Sequence, residues 1–456
     1  MRTESSSALD FRHRVFIYAM VIVGAFEGLA IITVLPKITE DLGRADLYGQ
    51  VAAAYFAASL CGIGMSQILL KSPDCMRYIG IACALLCAGL ILSACAPTMA
   101  VLGIGRIVQG LGGGVLSSYA YFAAGKFYPE ESRPKIFASL ATAWLVAGLL
   151  APSISNLLDI TFGWRSVFVV PAVIVVATLI VFGPRSRRLR AGDGVAIREQ
   201  RTAVTASTVA GTGFTVVALA MLLAGPDGPF RLTMTALTVV GLVSTIVPAI
   251  DRTTLRLGSV AACLILVNLV VATCYFATES LIPLVFDTVR SDGTVIAGLV
   301  ISAGSLLWSA GTWAQARVAR RANRNILVPI GVAVTVFGLL ACSRALMGGS
   351  ATGLVAVAWW TATAGMGLIT SYIAFVVMSD AAMDSERAST LLQASNLGAS
   401  YLGASFFAGA VARRLPDDGA SAAIAPNQLL MLSAVFVSFV VVLRMRGLKS
   451  HQASTR

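Results

Sequence analysis

Three charged side chains lie deep inside long apolar runs of this sequence. Two are acids, Glu27 and Glu279, and the third is a base, Arg106. A charge in hydrocarbon is costly, so such residues face protein or a water-filled cavity and are functional candidates by default. Burial favours the neutral form of a carboxyl group, whereas a nearby arginine favours the carboxylate. A movable Arg106 could therefore switch Glu27 between holding and releasing a proton.

Glu27 and Arg106 match in depth if the N-terminus is cytoplasmic. The first apolar run ends at Pro36, so Glu27 lies about nine residues, or roughly 14 Å, below the outer end. Arg106 lies about eight residues, or roughly 12 Å, below the outer end of the fourth run. An ion pair between them is geometrically possible. The alternative is a structural arginine that bonds backbone carbonyls.

The residues that follow Arg106 share its helical face. Gln109, Gly110 and Gly113 lie at i+3, i+4 and i+7 from it. Small residues on that face let a neighbouring helix approach closely. We expect Gln109 to bind substrate, and Gly110 and Gly113 to serve gating.

A second polar face lies on the ninth apolar run. Asn268, Tyr275 and Glu279 fall there at i, i+7 and i+11. The face either lines a substrate cavity or packs against a neighbouring helix, and both interpretations stay open. Gln393 and Asn396, at i and i+3 on the thirteenth run, have the same two interpretations. All five are candidate substrate-binding residues, and Glu279 is also a candidate for proton coupling.

The composition predicts an integral membrane protein. Of 456 residues, 57% are hydrophobic and 12% are charged, against roughly 25% charged residues in soluble domains. The net charge of +12 does not indicate nucleic-acid binding, because the basic residues recur in short loops between apolar runs. The eight cysteines and two histidines lack metal-ligand spacing. We expect no enzyme activity, no metal and no cofactor beyond a proton gradient.

The apolar runs predict an all-α protein with fourteen transmembrane helices. With a cytoplasmic N-terminus, 25 lysines and arginines fall inside and 8 fall outside, which favours both termini in the cytoplasm. The predicted spans are 15–36, 48–70, 77–95, 98–124, 136–158, 166–183, 203–224, 231–250, 258–286, 294–316, 326–346, 352–378, 388–411 and 428–444.

The order of these spans predicts two six-helix bundles and an inserted helix pair. The bundles cover 1–183 and 258–446, the pair covers 202–257, and 447–456 form a cytoplasmic tail. A cytoplasmic linker at 184–201 carries six arginines. Two bundles that rock around a central site are typical of transporters.

The two acids are expected at one central cavity. Glu279 lies about eight residues, or roughly 12 Å, below the outer end of its span, nearly the depth of Glu27. Arg106 can neutralise one of them only. The cavity should therefore be net acidic when both are ionised, which favours cationic or zwitterionic substrates.

Several motifs resemble the major facilitator superfamily, and within it the fourteen-span drug:proton antiporters of an actinobacterial branch. Glu27 lies nine residues before the Pro of an ALP-like ending, Val34 to Pro36. RIVQG, from Arg106 to Gly110, is similar to the fourth-span motif, and Gly163 to Phe168 is similar to GWR-x-x-F. MGLITSYIAFVVMSDA and LLQASNLGASYLGAS resemble the family's late spans. The resemblance implies a major facilitator fold in which the first acid and the fourth-span arginine couple protons.

The loop after the second span departs from the family pattern. The family has a Gly-x-Leu-x-Asp-x-x-Gly-Arg-like motif, which latches the outward-open state, whereas this chain reads SQILLKSPDCMR. Lys71 takes the place of the family's Asp, and Asp74 could substitute with a shift in register. Both are candidate gating residues.

The fifth span carries a second departure. The family's antiporter motif is G-x-x-x-G-P-x-x-G-G, and this chain reads GLLAPSISN from Gly148. Pro152 is kept, while Ser155 and Asn156 replace two glycines. Gly148 and Pro152 are the candidate gating residues here.

The residues and the resemblance together predict a proton-coupled exporter of amphipathic small molecules, of drug or antibiotic type, in a plasma membrane. An importer or uniporter is the first alternative, favoured by the altered fifth-span motif. A transport-inactive partner or sensor is the second, favoured by the altered loop. Expected partners are the substrate, protons and membrane lipids, and we expect a monomer that binds no nucleic acid.

Overall fold

The regular elements of the described part of the chain are all helical, as the sequence predicts. The computed structural model describes residues 2–70, 72, 74–126, 128, 133–186, 260–290, 293–318, 327–347, 350–378, 385–415, 417, 419–425, 428, 431–433, 436, 438 and 441. The chain divides into two compact units, Met1–Thr245 and Ile246–Arg456.

Six long helices build the described part of unit 1, one for each of the first six predicted spans. A short 3₁₀ turn, Ala45–Leu47, precedes the second helix. The helices are α1 Arg2–Leu42, α2 Tyr48–Leu69, α3 Cys75–Ala94, α4 Met99–Lys126, α5 Arg133–Phe162 and α6 Ser166–Ser186.

The first helix passes through Pro36, the residue at which the first predicted span ends. The helix continues to Leu42, and Gly43 follows with a φ of 68°. A proline removes one backbone donor, which membrane helices tolerate where neighbouring groups compensate. Glycine adopts a positive φ without steric cost, so the helix ends there instead.

Glycines on α4 let two helices pack against its backbone. A Cβ on Gly110 would meet the backbone oxygen of Tyr55 on α2, and one on Gly112 would meet the backbone oxygen of Ala82 on α3. Without those side chains, the backbones of α2 and α3 approach α4 closely, as small residues allow in membrane helices. The prediction of a close-packed face after Arg106 is confirmed.

Five helices and a π-helical turn build the described part of unit 2. α7 contacts each of the other four, and most of its residues are buried. The elements are α7 Val260–Thr288, α8 Gly293–Val318, α9 Leu327–Met347, α10 Thr352–Met378, α11 Ser385–Leu402 and the π turn Gly403–Ala408.

The π turn lies against the middle of α7. A Cβ on Gly403 would meet the backbone of Thr273 and Ala277, so the absence of a side chain permits this approach. The chain resumes an α-helical course at 409–415.

Nine helices in the described residues are long and apolar enough to cross a membrane, and α6 contains a shorter apolar stretch, Ser166–Ile180. The seventh and eighth predicted spans and most of the linker fall in 187–259, outside the described residues. The count of fourteen therefore stays a prediction.

Candidate functional site

Glu27 and Arg106 form an ion pair inside unit 1 that joins α1 to the first third of α4. Arg106 Nη1 lies 3.0 Å from Glu27 Oε2. The side chain of Arg106 is 0% exposed and that of Glu27 is 2% exposed. The sequence indicated this pair from depth alone, and the structure brings the two residues together.

Three further groups hold the guanidinium of Arg106. Nη1 also donates to Gln109 Oε1 at 2.8 Å, and Nη2 donates to the backbone oxygen of Glu27 at 3.0 Å. The Tyr55 ring lies under the guanidinium, with its centroid 4.6 Å from Cζ. A cation over an aromatic face is attracted by the ring quadrupole. The bond to a backbone carbonyl, offered above as the alternative to the ion pair, therefore occurs together with it.

Gln109 connects this pair to α3. Its Nε2 donates to the backbone oxygen of Gly89 at 3.1 Å and to Ser93 Oγ at 2.8 Å. The side chain is fully buried. The structure thus places Gln109 inside unit 1, and its expected role as a substrate ligand stays a prediction.

One oxygen of the Glu27 carboxyl remains available. Oε1 is buried and has no hydrogen-bond partner among the described residues, and the same holds for Arg106 Nε. A buried acceptor without a partner is costly unless it binds something. Oε1 is therefore the atom at which a proton can bind without breaking the contact to Arg106.

Glu279 is buried in unit 2 and forms no ion pair with an arginine or lysine of the described residues. It is 4% exposed, Oε2 has no hydrogen-bond partner, and no ion pair of the described residues includes it. One turn away, the Tyr275 ring stacks on Trp359 with centroids 4.7 Å apart, and Trp308 meets it edge-on at 5.5 Å. A cluster of three aromatic rings therefore lies one helical turn from this acid.

The polar face of α7 binds α11 through Asn268. Its Nδ2 donates to Ser395 Oγ at 3.0 Å and to Asn396 Oδ1 at 2.9 Å. Of the two interpretations, helix packing is the one seen for Asn268 and Asn396, while Gln393 is half-buried nearby on α11. Their expected contact with substrate stays a prediction.

The predicted gating residues fall in different places. Asp74 is exposed at the start of α3, and Lys71 lies outside the described residues. Gly148 and Pro152 lie within α5, which continues through the proline.

Ser155 and Asn156, which follow this proline, replace two family glycines and form hydrogen bonds inside unit 1. Ser155 Oγ lies 2.6 Å from Thr33 Oγ1 on α1, and Asn156 Nδ2 donates to the backbone oxygen of Pro152 at 2.9 Å. The hydroxyl pair ties α5 to α1.

Sequence reasoning missed a buried histidine on α1 that contacts α4 and a residue just after it. His13 on α1 bonds Tyr119 on α4 through Nε2 at 2.8 Å and Tyr128 through Nδ1 at 3.0 Å. Tyr119 in turn contacts Met76 Sδ at 3.7 Å. A histidine just before an apolar run was the signal available, but the two tyrosines that bind it are distant in sequence.

A family model described as Major Facilitator Superfamily matches residues 16–408. This chain belongs to the Major Facilitator Superfamily. The match extends over most of unit 1 and into unit 2, and it includes Glu27, Arg106 and Glu279. The superfamily consists of membrane transporters, so this member is a multi-pass transporter and not an enzyme.

The sequence relatives of this chain include proteins named for multidrug resistance or efflux. Multidrug resistance protein 3 of Bacillus subtilis is 26% identical over 148 residues, which are 32% of this chain and 29% of that protein. A probable multidrug-efflux transporter of Mycobacterium tuberculosis is 28% identical over 138 residues, 30% of this chain and 29% of that one. The chain thus spans about a third of the length of the curated relatives it matches.

Solved structures of other transporters share the fold. A peptide transporter, POT, in complex with sulfate gives a TM-score of 0.70 at 14% identity and covers 95% of this chain and 94% of its own. The xylose transporter XylE from E. coli gives 0.61 at 13% identity, covering 94% and 98%. At such identities the likeness concerns the fold alone. The family match and this likeness together confirm the major facilitator fold that the motifs predicted.

Proposed function

We propose that this transporter is a proton-coupled exporter of amphipathic small molecules of drug type, cationic or zwitterionic, across the plasma membrane. The observation that carries the proposal is the buried ion pair of Glu27 and Arg106 between two membrane helices. A titratable carboxyl group held beside a cation at that depth is a reasonable proton carrier. The names of the efflux relatives support export, although they match part of the chain.

The coupling would work through alternating access. Protonation of Glu27 and release of substrate would each favour one of the inward-open and outward-open states, so each shifts the equilibrium of the other. The imposed proton gradient then supplies the free energy for uphill export. Glu279 would serve as a second charged group that attracts cationic substrates.

A flux assay in proteoliposomes tests the proposal. A growth screen of cells that lack or overexpress the protein first selects a substrate from a panel of cationic, zwitterionic and neutral amphiphiles. Purified protein is then given that substrate with and without a pH gradient, while a trapped dye reports proton movement. Substrate moving against its gradient with counterflow of protons supports antiport. Transport at the same rate with and without the pH gradient rejects antiport.

The charge of the substrate is tested at Glu279. We expect Glu279→Gln to lose transport of a monovalent cation while keeping that of a neutral analogue. An equal loss of transport of the cation and of the neutral analogue would indicate that Glu279 has a structural role. The buried carboxyl without a basic partner among the described residues motivates the comparison.

Import or uniport is a second candidate, and the altered motif on α5 favours it. Ser155 and Asn156 occupy the places of two family glycines and are bonded within the bundle. In the same liposomes, proton and substrate moving in the same direction would favour import. A third candidate is a transport-inactive partner or sensor, which the altered loop at Lys71 and Asp74 favours, and absence of any substrate-dependent flux would select it.

The proposed orientation has both termini in the cytoplasm. Cysteines introduced at Asp193 and Asp227 in a cysteine-free background test it with an impermeant reagent. Labelling of position 227 from outside and of position 193 from inside only is expected for fourteen spans. Labelling of position 227 from the cytoplasm alone would favour twelve spans and a re-entrant insert.

A further inference from the structure

Two of the groups that hold Arg106 do not titrate. Gln109 Oε1 and the backbone oxygen of Glu27 accept from the guanidinium at 2.8 and 3.0 Å. Both remain acceptors when the Glu27 carboxyl binds a proton. These two hydrogen bonds to Arg106 therefore do not depend on the ionisation of Glu27.

Gln109 has one orientation that satisfies its neighbours. The amide oxygen must face Arg106, which donates only, and the amide nitrogen must face the carbonyl of Gly89, which accepts only. Both amide hydrogens are then used, one on Gly89 and one on Ser93. Gln109 and Ser93 are each 0% exposed, so this chain of bonds is buried throughout.

We propose that Gln109 and Ser93 are positioning residues, which hold Arg106 stationary while a proton moves on and off the unpartnered Oε1 of Glu27. The inference rests on the proposed function, because that function assigns the proton to Glu27. It replaces the movable arginine expected from the sequence by a fixed one. A preorganised charge needs no rearrangement at the moment of proton transfer, which is where its advantage lies.

The same geometry argues against Gln109 as a substrate ligand. A side chain whose two amide hydrogens are bonded within one bundle would have to break those bonds to reach a substrate. Leaving the carbonyl of Gly89 and the guanidinium of Arg106 short of a partner is costly in a buried site. The two roles make different predictions for proton binding.

Infrared titration of the protein in lipid nanodiscs tests the inference without a substrate. The carboxyl band of Glu27 is identified by its loss in Glu27→Gln. The test variants are Gln109→Leu, Ser93→Ala and the double variant. The matched control is Ser118→Ala, a buried serine on the same helix α4 whose hydroxyl has no hydrogen-bond partner among the described residues.

We expect Gln109→Leu to shift the midpoint of the Glu27 titration towards higher pH by about one unit, because a displaced Arg106 stabilises the carboxylate less. Ser93→Ala should shift it in the same direction by less. The double variant should shift it no further than Gln109→Leu, because Ser93 acts through Gln109. Ser118→Ala should leave the midpoint where it is.

Three results would overturn the inference. An unchanged midpoint in Gln109→Leu shows that Arg106 holds its place without the glutamine. Additive shifts show that Ser93 does not act through Gln109. If Gln109→Leu does not fold, an unchanged midpoint in Ser93→Ala rejects the proposal by itself. If Glu27→Gln loses no titrating band, the proposed function is rejected instead. The failure of the inference and the failure of the proposed function therefore give different results.

Discussion

Glu27 and Glu279 are buried to nearly the same extent, at 2% and 4% exposure, yet their surroundings differ. Glu27 in unit 1 contacts a fully buried arginine at 3.0 Å. Glu279 in unit 2 lies one helical turn from stacked aromatic rings and takes part in no ion pair of the described residues. The first acid has a balancing charge built into its bundle. The second has no such charge beside it among the described residues.

The largest difference is expected in proton-driven transport. Glu27→Gln keeps the shape of the side chain and removes the titrating group, so uphill transport should fall to the level of protein-free liposomes. Counterflow of labelled substrate without a pH gradient measures whether binding and folding survive, and we expect that they do. Undiminished uphill transport in Glu27→Gln would show that Glu27 does not differ from Glu279 in this way.

Arg106 should matter more for stability than any residue near Glu279. Arg106→Leu leaves the Glu27 carboxyl buried without its partner, which costs about 3–5 kcal/mol for a broken buried pair. Thermal unfolding of the purified protein measures the loss. The double variant Glu27→Gln with Arg106→Leu should recover part of it. A double variant that is less stable than Arg106→Leu would mean that the two residues are not coupled in this way.

The aromatic residues beside the two acids allow a matched comparison. A Cβ on Gly113 would lie 2.8 Å from the Tyr55 hydroxyl in unit 1, and one on Gly304 would lie 2.8 Å from Trp359 Nε1 in unit 2. We expect Gly113→Ala and Gly304→Ala each to lower stability by about 1–3 kcal/mol through overpacking.

The control for these substitutions is Gly80→Ala. A Cβ there meets nothing within 4 Å, so alanine should stabilise helix α3 by about 0.5–1 kcal/mol. Thermal unfolding of the three variants provides the comparison. If Gly113→Ala and Gly304→Ala match Gly80→Ala in stability, the aromatic rings are more mobile than their packing indicates.

The smallest effect on stability is expected for Glu279→Gln. No ion pair of the described residues is broken, and the amide has nearly the same shape, so stability should change by less than about 1 kcal/mol. The same unfolding measurement as for Arg106→Leu applies. A loss as large as that of Arg106→Leu would reveal a charged partner for Glu279 and would make the two units alike.

The sequence predicted the pair of Glu27 and Arg106 because charged residues are rare in apolar runs and helix geometry gives their depth. It could not predict Ser93 or Tyr55 beside them, because neutral residues of those types are common in membrane helices. The sequence also left open whether Asn268 lines a cavity or bonds to a neighbouring helix such as α11. Sequence spacing shows which residues share a face, but it does not show which helix that face contacts.

The end of α1 shows another limit of sequence reasoning. The first predicted span ends at Pro36, but the helix runs on to Leu42. Local propensity is overridden where the surrounding bundle compensates for the missing bond. The positive φ of Gly43 marks the actual end.

The π turn Gly403–Ala408 has a consequence for any scan of substitutions along this helix. One residue inserted into an α-helix rotates everything beyond it by about 100°. A heptad or helical-wheel diagram drawn from α11 through 415 would therefore assign the wrong faces after the turn. Accessibility measured residue by residue should follow one phase up to Leu402 and a second, displaced phase over 409–415.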